Sequence, residues 1–148
     1  MTLDSRSGLY EACQQIFPRH TDYATLPIED GFDWSSLSSC DFEKLYLVGF
    51  RSLRRPEADL DLLREHDDRA YEEAKNSGGL LRYFKGNVNE RGECLSFCLW
   101  KTSEQARKAA GAASHRTATS ITAQMYLTYV LDRYWIKKDI EQLVFERI

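Results

Sequence analysis

Residues 80–101 read LLRYFKGNVNERGECLSFCLWK and decide the fold, because they predict a β-hairpin. The segments 80–86 and 93–101 are rich in aliphatic and aromatic residues, which favours strands. The segment between them, NVNERG, holds two asparagines and a glycine, and these residues favour turns. We therefore place Asn87 and Asn89 in the turn of the hairpin.

Upstream of the hairpin, the sequence predicts a strand followed by a long helix. The segment KLYLVGFRS (44–52) is apolar on both alternating faces, as expected of a strand covered on both sides. Pro56 suits the first turn of a helix, and NSGG (76–79) ends that helix after about twenty residues. The charged run REHDDR (64–69) is interpreted as its solvated face. The residues at helical spacing are Leu60, Leu63, Asp67, Ala70 and Ala74.

Downstream of the hairpin, the sequence predicts helical segments and a last strand. Thr102 and Gln105 resemble a capping box that opens a short helix ending near Gly111. A second helical piece starts near Ser114, and YLTYVLDRYWIKK (126–138) favours a strand. The order strand, helix, strand, strand, helix, strand is the βαββαβ pattern of the ferredoxin-like fold. We therefore predict an α+β protein with a four-stranded antiparallel sheet and both helices on one face.

The face of this sheet opposite the helices is also apolar, since Leu45 and Leu47 alternate with Tyr46 and Val48. A bare apolar face favours association, and two such sheets packed face to face form a closed dimeric α+β barrel, so we predict a homodimer. The predicted division is an N-terminal arm (1–43), a ferredoxin-like barrel domain (44–138) and a C-terminal tail (139–148). The tail has enough apolar surface to pack on a partner or on its own chain.

The arm carries two large aromatic residues, Phe32 and Trp34, within LPIEDGFDWSSL (26–37). Their apolar area suits two roles, docking the arm on the core or closing a pocket, and docking is the favoured one.

Composition limits the class of protein. The chain has 148 residues, the size of one domain, and a net charge of −3, which argues against a nucleic-acid or anionic-membrane partner. It has no run of about 20 apolar residues, and its N-terminus lacks the apolar core of a signal peptide, so we expect a cytoplasmic protein without membrane insertion. Cys94 and Cys98 lie in one predicted strand, about 13 Å apart, too far to share a metal ion or a disulfide. No metal site is expected.

Four segments resemble a family of small proteins that is widespread in fungi, and the match covers about residues 44–138. They are GGLLRYFKG (78–86), CLSFCLWKTSEQARKAA (94–110), SHRTA (114–118) and MYLTYVLDRYWIKK (125–138). The layout also resembles the dimeric α+β barrel superfamily, which includes antibiotic-biosynthesis monooxygenases and polyketide cyclases. Some fungal members of such families act in natural-product pathways as cyclases, including Diels–Alder catalysts. The resemblance implies a similar activity here.

The leading hypothesis is therefore a cofactor-independent cyclase or isomerase acting on a hydrophobic natural-product intermediate, a polyketide or a terpenoid, with a [4+2] cycloaddition as one form. The sequence has no GxGxxG, Walker, HExxH or nucleophile-elbow motif, so no cofactor is expected. The alternatives are a cofactor-free monooxygenase of the antibiotic-biosynthesis type and a non-catalytic dimeric ligand-binding or stress protein.

The candidate catalytic residues are His115, His66 and Tyr126. Histidine is the side chain best matched to proton transfer near neutral pH, although His115 can equally cap its helix and His66 can face solvent. Tyr126 offers a hydroxyl group that polarises a carbonyl, or simply packs.

The candidate substrate-binding residues are Trp100, Tyr83, Arg51, Phe50 and Trp34. Aromatic side chains can stack on a flat substrate, although core packing is the default interpretation. Arg51 is a charge inside an apolar strand, so it pairs with a carboxylate such as Asp132 or binds an anionic or carbonyl-bearing ligand, and pairing is favoured.

Overall fold

The computed structural model describes residues 5–111, 122–140 and 142–148, in which an antiparallel sheet is covered on both faces. The strands are β1 (Lys44–Arg54), β2 (Leu80–Phe84), β3 (Glu93–Trp100), β4 (Tyr126–Asp139) and β5 (Gln142–Arg147). The α-helices are α1 (Ser5–Cys13), α2 (Ile28–Gly31), α3 (Leu60–Ser77), α4 (Ser103–Ala110) and α5 (Thr122–Met125). Two short 3-10 helices span Tyr23–Thr25 and Ser35–Ser39.

The strand order is β2-β3-β1-β4-β5, and every neighbouring pair is antiparallel. The first four strands have the ferredoxin-like arrangement that the sequence predicts. The fifth strand comes from the C-terminal tail, which the four-strand prediction did not include. Trp135 pairs with Glu146 and Ile136 with Phe145, so the tail extends the sheet of its own chain.

Local capping sets the ends of the helices. The Asp59 carboxylate accepts a hydrogen bond from the Leu62 amide at 3.1 Å, so α3 begins at Leu60 and not in the turn at Pro56 that the sequence favoured. The Thr102 hydroxyl accepts from the Gln105 amide at 3.1 Å, which confirms the predicted cap of α4. Of the predicted second helical piece, the described part is α5.

The hairpin turn uses its asparagine as predicted. The Asn89 side-chain oxygen accepts hydrogen bonds from the amides of Arg91 at 3.0 Å and Glu93 at 2.9 Å. The Gly86 amide donates to the Ser96 hydroxyl at 3.0 Å. These bonds fix the pairing of β2 with β3.

The face of the sheet opposite α3 and α4 is not bare, and here the prediction was wrong. Residues of the N-terminal segment pack on it and form the larger core cluster. The reason is the arm's own apolar content, which suffices to cover the sheet. In the described residues this face is therefore covered by the chain's own arm. The buried arm residues are Leu9, Cys13, Ile16, Ile28, Phe32, Trp34 and Leu37.

The helix-bearing face is packed less completely. Its buried cluster contains Tyr46, Trp100 and three alanines of α3 and α4, Ala74, Ala106 and Ala109. Small residues on the helices leave space above the sheet. None of the helices in the described ranges combines the length and the apolar composition that crossing a membrane requires.

Candidate functional site

A cavity of about 220 Å³ lies between α3, α4 and the sheet. Strand β1 lines it with every second residue from Tyr46 to Arg54, and β3 with every second residue from Cys94 to Trp100. Helix α3 contributes residues that recur every three or four positions from Leu63, and this spacing places them on one face of the helix. The rim of the cavity carries exposed side chains, such as Lys85, so the cavity opens to solvent there.

Several aromatic rings line the cavity. Tyr71 of α3 stacks on Tyr83 of β2 with ring centroids 5.0 Å apart and planes at 26°. The ring centroid of Tyr129 of β4 lies 6.4 Å from that of Phe50 and 5.2 Å from that of Tyr126. Such a wall suits a flat, apolar ligand.

A β-bulge brings Tyr126 into this wall. Tyr126 and Tyr129 are three residues apart, so strict alternation would place them on opposite faces of β4. The register of β4 against β1 shifts between Leu53 and Arg54, where Tyr126 pairs with Arg54, and Leu127 is left over. Both tyrosines therefore line the cavity.

The polar group that stands out in the cavity is Asp67 of α3. Burial raises the pKa of its carboxyl, and Asp68 raises it further, while the positive charges of Lys85, Arg54 and His66 oppose the rise. Asp67 is thus an acid that holds its proton more tightly than usual, within reach of a bound ligand.

The tyrosine hydroxyls are weak acids here. Burial raises the pKa of Tyr126 to about 12, and burial also raises the pKa values of Tyr83 and Tyr129. All three are neutral phenols near pH 7, so they can donate a hydrogen bond to a ligand oxygen but are not bases.

Arg54 lies at the end of the cavity that contains Asp67. Its Nε is buried and has no hydrogen-bond partner among the described residues. Its charge acts on Asp67, Tyr126 and Cys94, which places it beside these groups. A ligand oxygen would satisfy this donor.

The structure brings five of the sequence-predicted site residues to the cavity. They are His66, Tyr126, Trp100, Tyr83 and Phe50. Arg51 and Trp34 do not line it, and His115 lies outside the described residues.

Arg51 belongs to the opposite face of the sheet, because it alternates with the cavity residues Phe50 and Ser52. Its Nε lies 3.8 Å from the Asp132 carboxylate, the pairing that the sequence favoured. It also donates to the carbonyl oxygens of Ala24, at 2.9 Å, and Leu26. Arg51 therefore fastens the arm to the sheet.

Trp34 packs on the same face as Arg51. Its indole N–H donates to the Ile28 carbonyl oxygen at 3.1 Å. Its ring centroid lies 5.4 Å from that of Phe97 and 5.2 Å from that of Phe145. Of its two expected roles, docking is the one that the structure shows.

Asp67, Arg54 and Tyr71 are among the cavity residues that sequence analysis did not assign to the site. Asp67 was assigned to a solvated charge run, yet it follows Leu63 by four residues and precedes Ala70 by three. A carboxylate on the apolar stripe of a helix was the available signal. Arg54 continues the alternation of Phe50 and Ser52 along β1, so the pattern of that strand was the available signal.

Within the described ranges, no group of three or more histidine, cysteine and acidic side chains is placed to hold a metal ion. The four cysteines are free thiols, and Cys94 and Cys98 both lie on the cavity-facing side of β3.

The fold is similar to that of solved bacterial proteins. SnoaB, a cofactor-independent oxygenase from Streptomyces nogalater, is 8% identical, with a TM-score of 0.52 over 68% of this chain and 100% of that chain. A Nitrosomonas europaea protein described as an antibiotic biosynthesis monooxygenase is 11% identical, with a TM-score of 0.54 over 66% of this chain and 93% of that chain. At these identities the likeness shows the ferredoxin-like fold alone.

A fungal protein is similar in sequence. The UPF0643 protein PB2B2.08 of Schizosaccharomyces pombe is 28% identical over an alignment of 142 residues, and the match covers 83% of this chain and 64% of that protein. The chain thus spans about two-thirds of its relative's length. The family model described as PB2B2.08-like matches residues 1–147. The expected membership of a fungal family is confirmed, and the chain belongs to the PB2B2.08-like family.

Proposed function

We propose that this protein is a cofactor-independent enzyme that cyclises or isomerises a hydrophobic small molecule in the cavity between its helices and its sheet. The observation that carries the proposal is Asp67, an acid with a raised pKa that faces an aromatic cavity beside neutral tyrosine hydroxyls.

The cavity supports the binding part of this proposal. Its volume of about 220 Å³ is below the roughly 300–1,000 Å³ typical of small-molecule pockets, so a compact ring system suits it better than a long chain. The stacked Tyr71 and Tyr83 and the pair of Phe50 and Tyr129 offer flat surfaces on different elements. A polyketide or terpenoid intermediate held between them would be restricted to a folded, reactive shape.

The polar groups support the catalytic part. A carboxyl with a raised pKa donates or accepts a proton near neutral pH more readily than an ordinary aspartate. The Tyr126 hydroxyl can donate a hydrogen bond to an oxygen on which charge develops, and so can the Arg54 Nε, which has no partner among the residues described. His66 precedes Asp67 on α3 and is a second proton-transfer group in the cavity. A [4+2] cycloaddition needs only the shape and these donors.

A cofactor-free monooxygenase is the second candidate. The specific observation in its favour is the likeness of the fold to SnoaB, a cofactor-independent oxygenase. Oxygen consumption during turnover separates the two, since cyclisation and isomerisation consume none. A non-catalytic ligand-binding protein would instead be stabilised by its ligand without converting it.

Native mass spectrometry of the purified chain, followed by organic extraction and identification of bound compounds, supplies the substrate for the test. The extracted compound is incubated with the wild type, with Asp67→Asn and with Asp61→Asn, an exposed aspartate near the start of the same helix. We expect Asp67→Asn to bind the compound but to convert it about 10²-fold or more slowly, and Asp61→Asn to match the wild type. A rate for Asp67→Asn within about twofold of wild type would refute proton transfer by Asp67.

The homodimer stays part of the proposal, on a surface other than the arm-covered face. Residues 126–132 of β4 pair with β1 on one side, while β5 starts its pairing only at Tyr134, and Leu127, Val130 and Leu131 are exposed there. An apolar strand edge of this kind suits pairing with a second copy. Sedimentation equilibrium at micromolar concentration should give twice the chain mass of 17.2 kDa, and a mass of one chain would refute the dimer.

A further inference from the structure

The cavity has a charge opposite to that of the whole chain. The chain has 20 basic and 23 acidic residues, a net charge of −3. The charged residues that line the cavity are four cations and one carboxylate among the described residues. The cations are Arg54, Lys85, Arg107 and Arg133, and the carboxylate is Asp67.

Among the described residues, these four cations form no salt bridge. Within the part of the chain that the structure describes, the salt bridges engage other basic side chains, and none of the four has a carboxylate oxygen within 4.0 Å. In contrast, Arg51 on the opposite face reaches Asp132. The lining of the cavity therefore carries an excess of positive charge.

Two of these cations lie at one end of the cavity. The positive charges of Arg54 and Lys85 both lower the pKa values of Asp67 and Cys94, so both cations lie close to this pair. The Arg54 Nε is buried without a hydrogen-bond partner among the described residues. Arg82 has a similar Nε on the arm face, but its Nη2 donates to the Ile16 carbonyl oxygen at 3.0 Å and its guanidinium lies 5.0 Å from the Phe17 ring centre.

We propose that the ligand of this cavity is a ring compound bearing a carboxylate, whose oxygens bind Arg54 and Lys85 while its rings lie against Tyr71, Tyr83 and Tyr129. A guanidinium can donate to both oxygens of a carboxylate, and a nearby ammonium adds a point charge. This inference rests on the proposed function, because it takes the cavity as the substrate site and names the class of substrate.

Two probes of the same shape test the inference. Fluorescence titration of the full chain uses 2-naphthoate, which carries a carboxylate, and 2-naphthamide, its neutral analogue. We expect 2-naphthoate to bind about tenfold more tightly or better. Arg54→Gln should remove about tenfold of the affinity for 2-naphthoate and leave that for 2-naphthamide within about twofold.

The control is Arg64→Gln, which removes an arginine from α3 that does not line the cavity. It should change neither affinity by more than about twofold. Lys85→Gln is a second test variant, and its exposed position on the rim makes it suitable if Arg54→Gln fails to fold. It should also weaken 2-naphthoate selectively.

Equal affinity of the two probes would overturn the carboxylate assignment while leaving a ring-binding cavity, and with it the proposed function, in place. An equal loss of both probes in Arg54→Gln would also overturn it, because the arginine would then act on the shape of the cavity. Failure of both probes to bind at millimolar concentration would refute the cavity as a ring-binding site, and the proposed function would fall with the inference.

Discussion

Replacing Phe32 by alanine tests whether the arm is an integral part of the core. The Phe32 side chain has an exposed fraction of 0% and lies between the arm and the sheet. Its ring centroid is 5.3 Å from that of Tyr23, 5.0 Å from that of Phe84 and 5.1 Å from that of Phe97, all in edge-to-face geometry. If the arm holds the fold together, this residue should be among its most important contacts.

The expected cost follows from these contacts. Truncation of a fully buried phenylalanine to alanine costs about 3–5 kcal/mol through lost transfer free energy and the cavity left behind. Three edge-to-face partners favour the upper part of this range, since each aromatic pair adds about 0.5–1.5 kcal/mol beyond its buried area. Domains of this size are stable by about 5–15 kcal/mol, so Phe32→Ala should lose a large part of the total.

Urea unfolding followed by tryptophan fluorescence measures this loss, and Phe17→Ala is the matched control. Phe17 is in the same arm but is 52% exposed, and its recorded ring contact is with the guanidinium of Arg82. We expect Phe17→Ala to cost less than about 1 kcal/mol. Equal losses in the two variants would refute the docked arm, and so would a Phe32→Ala loss below about 1 kcal/mol.

Three further predictions concern single substitutions. Burial raises the pKa of Asp67, so the folded wild type loses stability as pH rises from about 4 through the raised pKa. Asp67→Asn has no carboxyl to ionise, so its stability relative to wild type should increase between about pH 4 and 7. A constant difference between the two proteins in urea unfolding would contradict this. In Gly86→Ala the new Cβ would lie 2.1 Å from the Leu95 carbonyl oxygen, so thermal unfolding should show a loss of about 1–3 kcal/mol, and an unchanged midpoint would disprove the clash. Asp132→Asn removes the charge that faces both Arg51 and Arg147 and should cost about 1–3 kcal/mol in the same assay, whereas a neutral result would make these ion pairs irrelevant to stability.

The sheet was predictable because its signals are local. Alternation along 44–52, the asparagine turn at 87–92 and the Thr102 cap each depend on residues within a few positions of one another. Such patterns translate directly into strands, turns and helix starts. They also carried the resemblance that the family match confirms.

The partner of the second sheet face was not predictable in the same way. Apolar residues on both faces of β1 require two covering layers, but they do not say which part of the chain supplies each layer. The arm supplies one through contacts such as that of Trp34 with Phe97, far apart in sequence. The added strand β5 depends likewise on pairing that only the folded chain shows, because the tail's apolar residues fitted either a partner or its own chain.

The candidate site was half predictable for a related reason. Trp100 and Phe50 follow from strand alternation, and His66 from its place beside the apolar stripe of α3. Trp34 was assigned by residue type, which does not distinguish the two faces of a sheet. Asp67 was passed over because a charged run usually faces solvent, and only its position on the apolar stripe indicated otherwise.

The two faces of the sheet treat their charges differently, and this difference points to the cavity as the working face. On the arm face, Arg51 meets a carboxylate and two carbonyl oxygens, so its charge stabilises the docked arm. On the cavity face, burial disfavours the ionised form of Asp67, and the Arg54 Nε has no hydrogen-bond partner in the part of the chain that the structure describes. Both features cost folding free energy. Replacing Asp67 by asparagine should therefore stabilise the fold at neutral pH while slowing turnover, and this opposition is what distinguishes a functional carboxyl from a structural one.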